Sequence, residues 1–248
     1  LFVGGAAGKT YYFRSRARDR AGNQESYPDR PDAYVAVDPL FNGDFERNSL
    51  TGWEGSGPCP PTVVITQSYS GGSTHVAVLG CPDRNQAPFG ESMICQTVDV
   101  PRAQDMPAPT LRFRYHILSY DVLWGPNTKK FWDSFNVGLC PPGSIAPTWV
   151  FTDGNSTDFD LSKLKDLGWR EGSIDLTPWA GRRMKICLAN VTRWDDSLNT
   201  WTFVDDIRIV DLENKFYLPV VLRAAPALGM AANARPSLMP LGTSGIKR

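Results

Sequence analysis

Few side chains in this sequence could carry out chemistry. Only two histidines occur, His75 and His116, and neither stands at a metal-ligand spacing from other ligating residues. Neither a Gly-x-Ser-x-Gly elbow nor a His-Glu-x-x-His helix signature is present. Glu91, Asp121, Asp133, Asp195 and Asp196 supply carboxylates, but not the recognisable facing pair that glycoside hydrolysis uses. His116 alternates within Leu111 to Leu118 on the face of Arg112 and Arg114, so it reads as a surface or cleft residue rather than a general base. The expectation is a protein that is not an enzyme.

Binding has better material. Trp124, Trp132, Trp194 and Trp201 lie in or beside loops, at Asp121-Val122-Leu123-Trp124-Gly125 and Trp194-Asp195-Asp196-Ser197-Leu198-Asn199-Thr200-Trp201. Sugar C–H groups stack on exposed rings while their hydroxyls bond to polar neighbours. Trp124, Trp132, Trp194, Trp201 and Asp121 are therefore the candidate ligand-binding set. The competing reading is that these rings seal loops onto the core.

Five cysteines occur, none in a Cys-x-x-Cys pair, which suits disulfides in an oxidising compartment better than a metal site. Cys59 and Cys81 flank the Thr62 to Leu79 strands in turn-rich surroundings and form the first expected pair. Cys140 ends one candidate strand and Cys187 lies in another, each opposite its strand's apolar face, so a Cys140–Cys187 bridge is the second. Cys95 is left over, as a free buried thiol or as a partner for another chain.

The elements that must position these residues are strands. With 22 Gly, 20 Pro and 8 Trp and few long runs of helix formers, the composition is that of short strands joined by many turns. Lys+Arg and Asp+Glu are 26 each, so the chain lacks the basic field of a nucleic-acid binder. No stretch approaches the roughly 20 apolar residues of a membrane span, and residues 1 to 20 lack the regions of a signal peptide. The chain is expected to be mature or cut from a longer precursor, and to work secreted, outside the cell or at its surface.

Three segments follow. In residues 1–38, Tyr11, Phe13, Ser15 and Ala17 alternate with Arg14, Arg16 and Arg18, predicting a strand with one wet face; Asp19 to Asn23 is a turn, and Gln24 to Pro28 could begin a returning strand. Residues 39–212 contain candidate strands at Thr62 to Gln67, His75 to Leu79, Ser92 to Val100, Thr110 to Leu118, Ser134 to Leu139, Gly172 to Leu176, Arg183 to Ala189 and Trp201 to Val210. Asp160 to Leu167 is a weak helical candidate. Residues 213–248 carry five basic side chains and one acidic; Phe216 to Arg223 is β-prone, and Ala224 to Arg248 has the composition of a disordered tail.

Tyr11 and the Arg16-Ala17-Arg18-Asp19-Arg20-Ala21-Gly22-Asn23 turn resemble the last strands of a fibronectin type III domain. About seven strands make such a domain, so the segment either continues a domain that begins elsewhere in a larger protein or completes a sheet of another chain. In the middle segment, Asn42-Gly43-Asp44-Phe45-Glu46 with Thr51-Gly52-Trp53, then Gly168-Trp169 with Ile174-Asp175-Leu176-Thr177-Pro178-Trp179-Ala180-Gly181, then Phe203-Val204-Asp205-Asp206-Ile207, resemble in order the galactose-binding-like jelly rolls found among carbohydrate-binding modules. Tyr217 to Arg223 resembles the ending of exported proteins of Chloroflexota-type bacteria.

These resemblances imply an all-β jelly-roll β-sandwich with a partial fibronectin type III-like segment before it and an extended C-terminal tail after it. They place Trp53, Trp169 and Trp179 in the core. They also imply a structural Ca²⁺ held by Glu46 and by Asp205, Asp206 or both, with carbonyls around Asn42 to Asp44, since calcium takes six to eight hard oxygens; the competing reading is that Asp205 and Asp206 cap a strand. The acidic run Asp153 to Asp160 fails the EF-hand template at its sixth and twelfth positions and reads as a loop. Asn155-Ser156-Thr157 and Asn190-Val191-Thr192 satisfy the glycosylation sequon.

Three functions remain in competition. The first is a non-catalytic glycan-binding module of a larger secreted or cell-surface protein. The second is a structural or adhesive subunit of an extracellular filament or surface assembly, joined to neighbouring chains by strand addition. The third is an accessory domain of a secreted peptidase or hydrolase.

Overall fold

The computed structural model describes residues 5–82, 88–121, 131–155, 163–193 and 198–212. Within it, β1 (Thr10–Phe13) and β2 (Ala33–Ala36) form a two-stranded antiparallel sheet, pairing Thr10 with Ala36 through Phe13 with Ala33. The returning strand is thus β2 rather than Gln24 to Pro28, which contributes only the Arg18–Gln24 bridge. Beyond Phe13 the chain is held by Glu25 N–H to Ala17 O at 3.0 Å and Asp19 N–H to Asn23 O at 2.9 Å. Lys9 ties this arm to the rest through Asp105, at 2.6 Å, and the Thr10 hydroxyl donates to the Asp105 carbonyl at 3.1 Å.

The other strands are β3 (Glu54–Ser56), β4 (Thr62–Gln67), β5 (Ser73–Leu79), β6 (Gly90–Asp99), β7 (Pro109–Ser119), β8 (Asp133–Cys140), β9 (Thr148–Asp153), β10 (Lys165–Asp175), β11 (Arg183–Thr192) and β12 (Thr200–Asp211). They form two five-stranded antiparallel sheets, in the orders β10-β7-β12-β5-β4 and β3-β6-β11-β8-β9. The fold is an all-β sandwich, and the 3-10 turn Thr177–Trp179 is the only helical turn among the described residues. The helical candidate at Asp160 to Leu167 is corrected where it is described: Lys165 to Leu167 begin β10, with Lys165 opposite Ser119 and Asp166 opposite Leu118. An edge position beside β7 outweighs the local preference of Lys and Leu for helix.

Alternation builds the core. Leu111, Phe113, Tyr115 and Ile117 of β7 face Phe135, Val137 and Leu139 of β8 and Met184, Ile186 and Leu188 of β11, all buried. Phe113, Tyr115, Phe135 and Phe151 pack as one aromatic group, with Tyr115 and Phe135 stacked at 4.8 Å. The Tyr115 hydroxyl donates to Asp153 at 2.8 Å, and Arg170 meets the same oxygen at 2.6 Å, bracing one sheet against the other. Burial and the Asp153 charge push the Tyr115 hydroxyl well above its ordinary pKa.

Cys59 and Cys81 are bridged, with Cα atoms 5.5 Å apart. The second bridge is Cys95–Cys187, with Cα atoms 4.2 Å apart, in place of Cys140–Cys187. The register explains the correction. Cys187 stands directly opposite Cys95 across β11 and β6, whereas on β8 it faces Gly138, and Cys140 faces Lys185. Cys140 is the buried free cysteine. Leu1–Lys215 forms one compact unit; the second unit, Phe216–Arg248, with the expected strand Phe216 to Arg223 and the tail, lies outside the described residues.

Candidate functional site

Two places gather functional side chains. The first is the junction of the opening motif with the last strand. Asn42, at φ 55°, turns its side-chain amide onto the carbonyls of Ser49 and Thr51, at 2.8 and 3.2 Å, while its own carbonyl accepts the Trp53 indole N–H at 3.0 Å. Phe45 packs 5.9 Å from Trp53, and both are buried. This local knot delivers Glu46 to the tip of the β4–β5 hairpin. There Glu46 accepts from the Thr74 hydroxyl at 2.8 Å and the His75 amide at 3.1 Å, with His75 Nδ1 also 3.1 Å away. Thr74 and its bonded neighbour His75 hold Glu46 below the usual carboxylate range.

Asp205 meets the same hydroxyl, 3.2 Å from Thr74 Oγ1. Burial, reinforced by the charges of Asp206 and Glu46, pushes Asp205 up to about 6. Asp206 points elsewhere. It sits at φ 52° in a β-bulge of β12, and its carboxylate pairs with Arg114 at 2.5 Å and Arg208 at 3.3 Å. Of the three residues expected around calcium, Glu46 and Asp205 are brought together, and Asp206 is neutralised by arginines. No cluster of three or more His, Cys, Asp or Glu suited to a metal occurs among the described residues.

The second place is the outer face of the β10-β7-β12-β5-β4 sheet. A bulge in β10 after Asp166 sets Trp169 opposite His116, whose other neighbour, Phe203 of β12, is directly across. The His116 ring lies 5.4 Å from Trp169 and 5.9 Å from Phe203, and all three are half-buried. The row is wetted at its edges. His116 Nε2 is 2.5 Å from Asp166, and Arg114 stacks on the exposed Tyr69 ring at 4.7 Å. The Trp169 indole N–H donates to the Gln67 carbonyl at 3.0 Å, so the β4–β5 hairpin reaches over this face. Burial raises the Asp166 carboxyl, but the Gly168 amide and His116 outweigh it and hold the group below its ordinary value. The result is rings flanked by carboxylates and guanidinium groups, able to stack on an apolar face while bonding to hydroxyls.

The expected ligand set fares differently. Trp124 and Trp194 lie outside the described residues, as do Asp195 and Asp196. Trp201, near the start of β12, is 8% exposed and tilted against Tyr120 at 6.2 Å, and Asp121, just beyond β7, is 3% exposed, so neither presents a free face to a ligand. Trp132 is half-buried. Conversely, Trp169 is not in the core as expected, since it falls on the outward parity of β10 while Gly172 and Ile174 face in. Trp149, absent from the candidates, lies over Gly138 on the outer face of the other sheet, where a Cβ on Gly138 would stand 2.7 Å from the indole. Neither sequon asparagine offers a free amide: Asn155 donates to the Asp121 carbonyl and Asn190 to that of Thr200, and both are buried.

No family model matches the chain, and no curated protein matches it. Solved structures it is similar to include TmCBM61 in complex with beta-1,4-galactotriose, at 15% identity over 71% of this chain and 99% of that one, with a TM-score of 0.43. Others are the K1 cleaved adhesin domain of Lys-gingipain from Porphyromonas gingivalis W83, at 12% identity over 68% and 95%, TM-score 0.39, and Family 16 Carbohydrate Binding Module-2, at 17% identity over 70% and 99%, TM-score 0.36.

Proposed function

We propose that the chain is a non-catalytic, extracellular β-sandwich module that binds glycan on the outer face of the β10-β7-β12-β5-β4 sheet. The observation that carries this reading is the Trp169–His116–Phe203 row with Asp166 at its edge. A pyranose stacked on Trp169 would place hydroxyls within reach of Asp166, His116 and Arg114. Two disulfides support an oxidising, extracellular setting.

A calcium ion would sit between Glu46 and Asp205, whose oxygens already converge on Thr74. Bound there, it would neutralise two carboxylates that repel each other and fix the opening motif to β12. Asp206, held by Arg114 and Arg208, takes no part.

The test is affinity electrophoresis of the full chain through gels containing soluble neutral polysaccharides, beta-1,4-galactan among them. Wild type should be retarded, and Trp169→Ala should lose about tenfold or more in affinity while its melting temperature stays within a few degrees. Absence of retardation by every polysaccharide, or retardation indifferent to Trp169→Ala, overturns the reading.

Assembly by strand addition is a second reading, favoured by the open edge of β4. Its sequence, Thr-Val-Val-Ile-Thr-Gln, carries no charge or proline, and Val64 and Ile65 are exposed, which leaves the edge without the usual guards against pairing. Light scattering decides it: a concentration-dependent oligomer abolished by Ile65→Lys supports assembly, and a monomer removes it.

A further inference from the structure

The β4–β5 hairpin places a second aromatic ring beside the Trp169 row. β5 pairs with β12 only over Ala77 to Leu79, and at the next step β12 bulges between Asp205 and Arg208. Ser73 to Val76 pair with β4 alone, so this part of the hairpin leaves the sheet. β4 and β10 are opposite edges of that sheet, yet the Gln67 carbonyl at the end of β4 accepts the indole N–H of Trp169 on β10. The hairpin tip therefore curls across the outer face. Its turn is closed by the Ser68 amide on the Gly72 carbonyl, at 2.6 Å, and it carries Tyr69 over β7.

There Tyr69 meets Arg114, whose guanidinium carbon lies 4.7 Å from the ring centroid. Asp206 grips the same guanidinium at 2.5 Å, which holds the support still. Tyr69 is 56% exposed, so with one face laid on Arg114 its other face is open. Arg114 and His116 share the outward parity of β7, about 7 Å apart, and Trp169 stands opposite His116. Two rings thus follow one another along β7, spaced on the scale of successive sugars in a chain.

The charges between the rings are matched. Arg114 and Arg208 share Asp206, Arg112 pairs with Glu171, and His116 meets Asp166. At the base of the hairpin Glu46 is bonded to Thr74 and His75, and Asp205 to Thr74. The face offers donors and acceptors to hydroxyl groups, and its paired carboxylates would compete with an anionic ligand for the arginines.

We propose that Tyr69, backed by Arg114, is a second stacking subsite, so that the face holds two or more consecutive residues of a linear neutral polysaccharide lying along β7. This rests on the glycan-binding reading of the Trp169 face and adds to it the length and the charge of the ligand. A sugar already seated on Trp169 presents its neighbour to Tyr69 within the same complex, so each ring strengthens the other's hold.

Titration of the full chain with the monosaccharide and the trisaccharide of beta-1,4-galactan, of xylan and of cellulose, with polygalacturonate as the anionic control, tests it. In at least one neutral series wild type should bind the trisaccharide about tenfold more tightly than the monosaccharide, and more tightly than polygalacturonate. Tyr69→Ala should lose about three- to tenfold on the trisaccharide and nothing on the monosaccharide, with a melting temperature within a few degrees of wild type because the ring is exposed. Tyr69→Phe, which keeps the ring, should retain the preference for length. Trp169→Ala should weaken both sugars. Tyr69→Ala that weakens both sugars alike or neither, or tighter binding of polygalacturonate, overturns the second subsite while leaving the Trp169 reading in place. Absence of binding in every series, or binding indifferent to Trp169→Ala, overturns both.

Discussion

The carbonyl oxygen of Gly43 accepts the amide proton of Ile207 at 2.9 Å. Residues from opposite ends of the sandwich thereby share one backbone hydrogen bond, and the approach is so close that a Cβ on Gly43 would penetrate the Ile207 carbonyl. Everything at the Glu46–Thr74–Asp205 junction depends on that contact, because it sets the depth at which the opening motif lies against β12.

Gly43→Ala should therefore destabilise by about 3 kcal/mol, measured by urea unfolding, since backbone on both sides has nowhere to move. Gly71→Ala is the contrast. Its φ is 93°, yet open space surrounds it, so only left-handed strain of about 1 kcal/mol is expected. Equal losses at the two positions would show that the Ile207 contact is not limiting.

The cysteine pattern is open to direct chemistry. A non-reduced proteolytic digest should yield Cys95 linked to Cys187 and Cys59 linked to Cys81, with Cys140 alkylated only after unfolding. Cys140→Ser should leave both bridges intact. Cys95→Ala/Cys187→Ala should cost about 2–5 kcal/mol, as expected for loss of a long-range bridge. A Cys140–Cys187 peptide would contradict the β6–β11–β8 register.

Asp38 gives stability a pH dependence of defined sign. Its carboxylate accepts from the amides of Leu40 at 2.9 Å and Ile209 at 3.2 Å, and burial pushes its pKa up to about 6. A group whose folded value is raised favours the folded state when protonated, so its contribution is fully present below about 4 and is lost as pH rises through 6. Asp38→Asn, which keeps an accepting oxygen, should melt higher than wild type at pH 7.5, by an amount that solvent screening at this partly exposed position keeps small. The gap should close by pH 4.5; a gap constant with pH would refute the assignment.

Calcium should raise the melting temperature of wild type by several degrees and chelation should reverse it. Glu46→Gln should abolish the response, while Asp206→Asn should retain it, because Asp206 serves Arg114 and Arg208. Calorimetry with calcium alone reads the difference without any glycan present.

What could be read from sequence depended on whether its cause was local. Thr62 to Gln67 is marked by β-branched residues between Pro60-Pro61 and the Ser68 to Gly72 turn, and β4 has those bounds. Glu46 and Asp205 were legible through their motifs. Trp169 was not, because a one-residue slip of register after Asp166 decides which way it faces, and Gly168, at φ 67°, is its one local mark. The partner of Cys187 was equally hidden: Cys95 and Cys140 both lie on strands that flank β11, and only the register separates a direct neighbour from a diagonal one. Trp149 escaped because Gly138, the residue that makes room for its ring, lies on another strand.

The Cys95–Cys187 bridge also gives the molecule a mechanical character. The residues it joins are 92 apart in sequence, and at roughly 3.4 Å per residue that stretch corresponds to about 300 Å of extended chain. Pulled from its ends, the protein could surrender β12, the β4–β5 hairpin and the arm, but β7, β8, β9 and β10 would stay enclosed in a loop that tension cannot unravel. Tension on the chain would then extend everything outside the bridge and stop there, with those four strands still folded behind it.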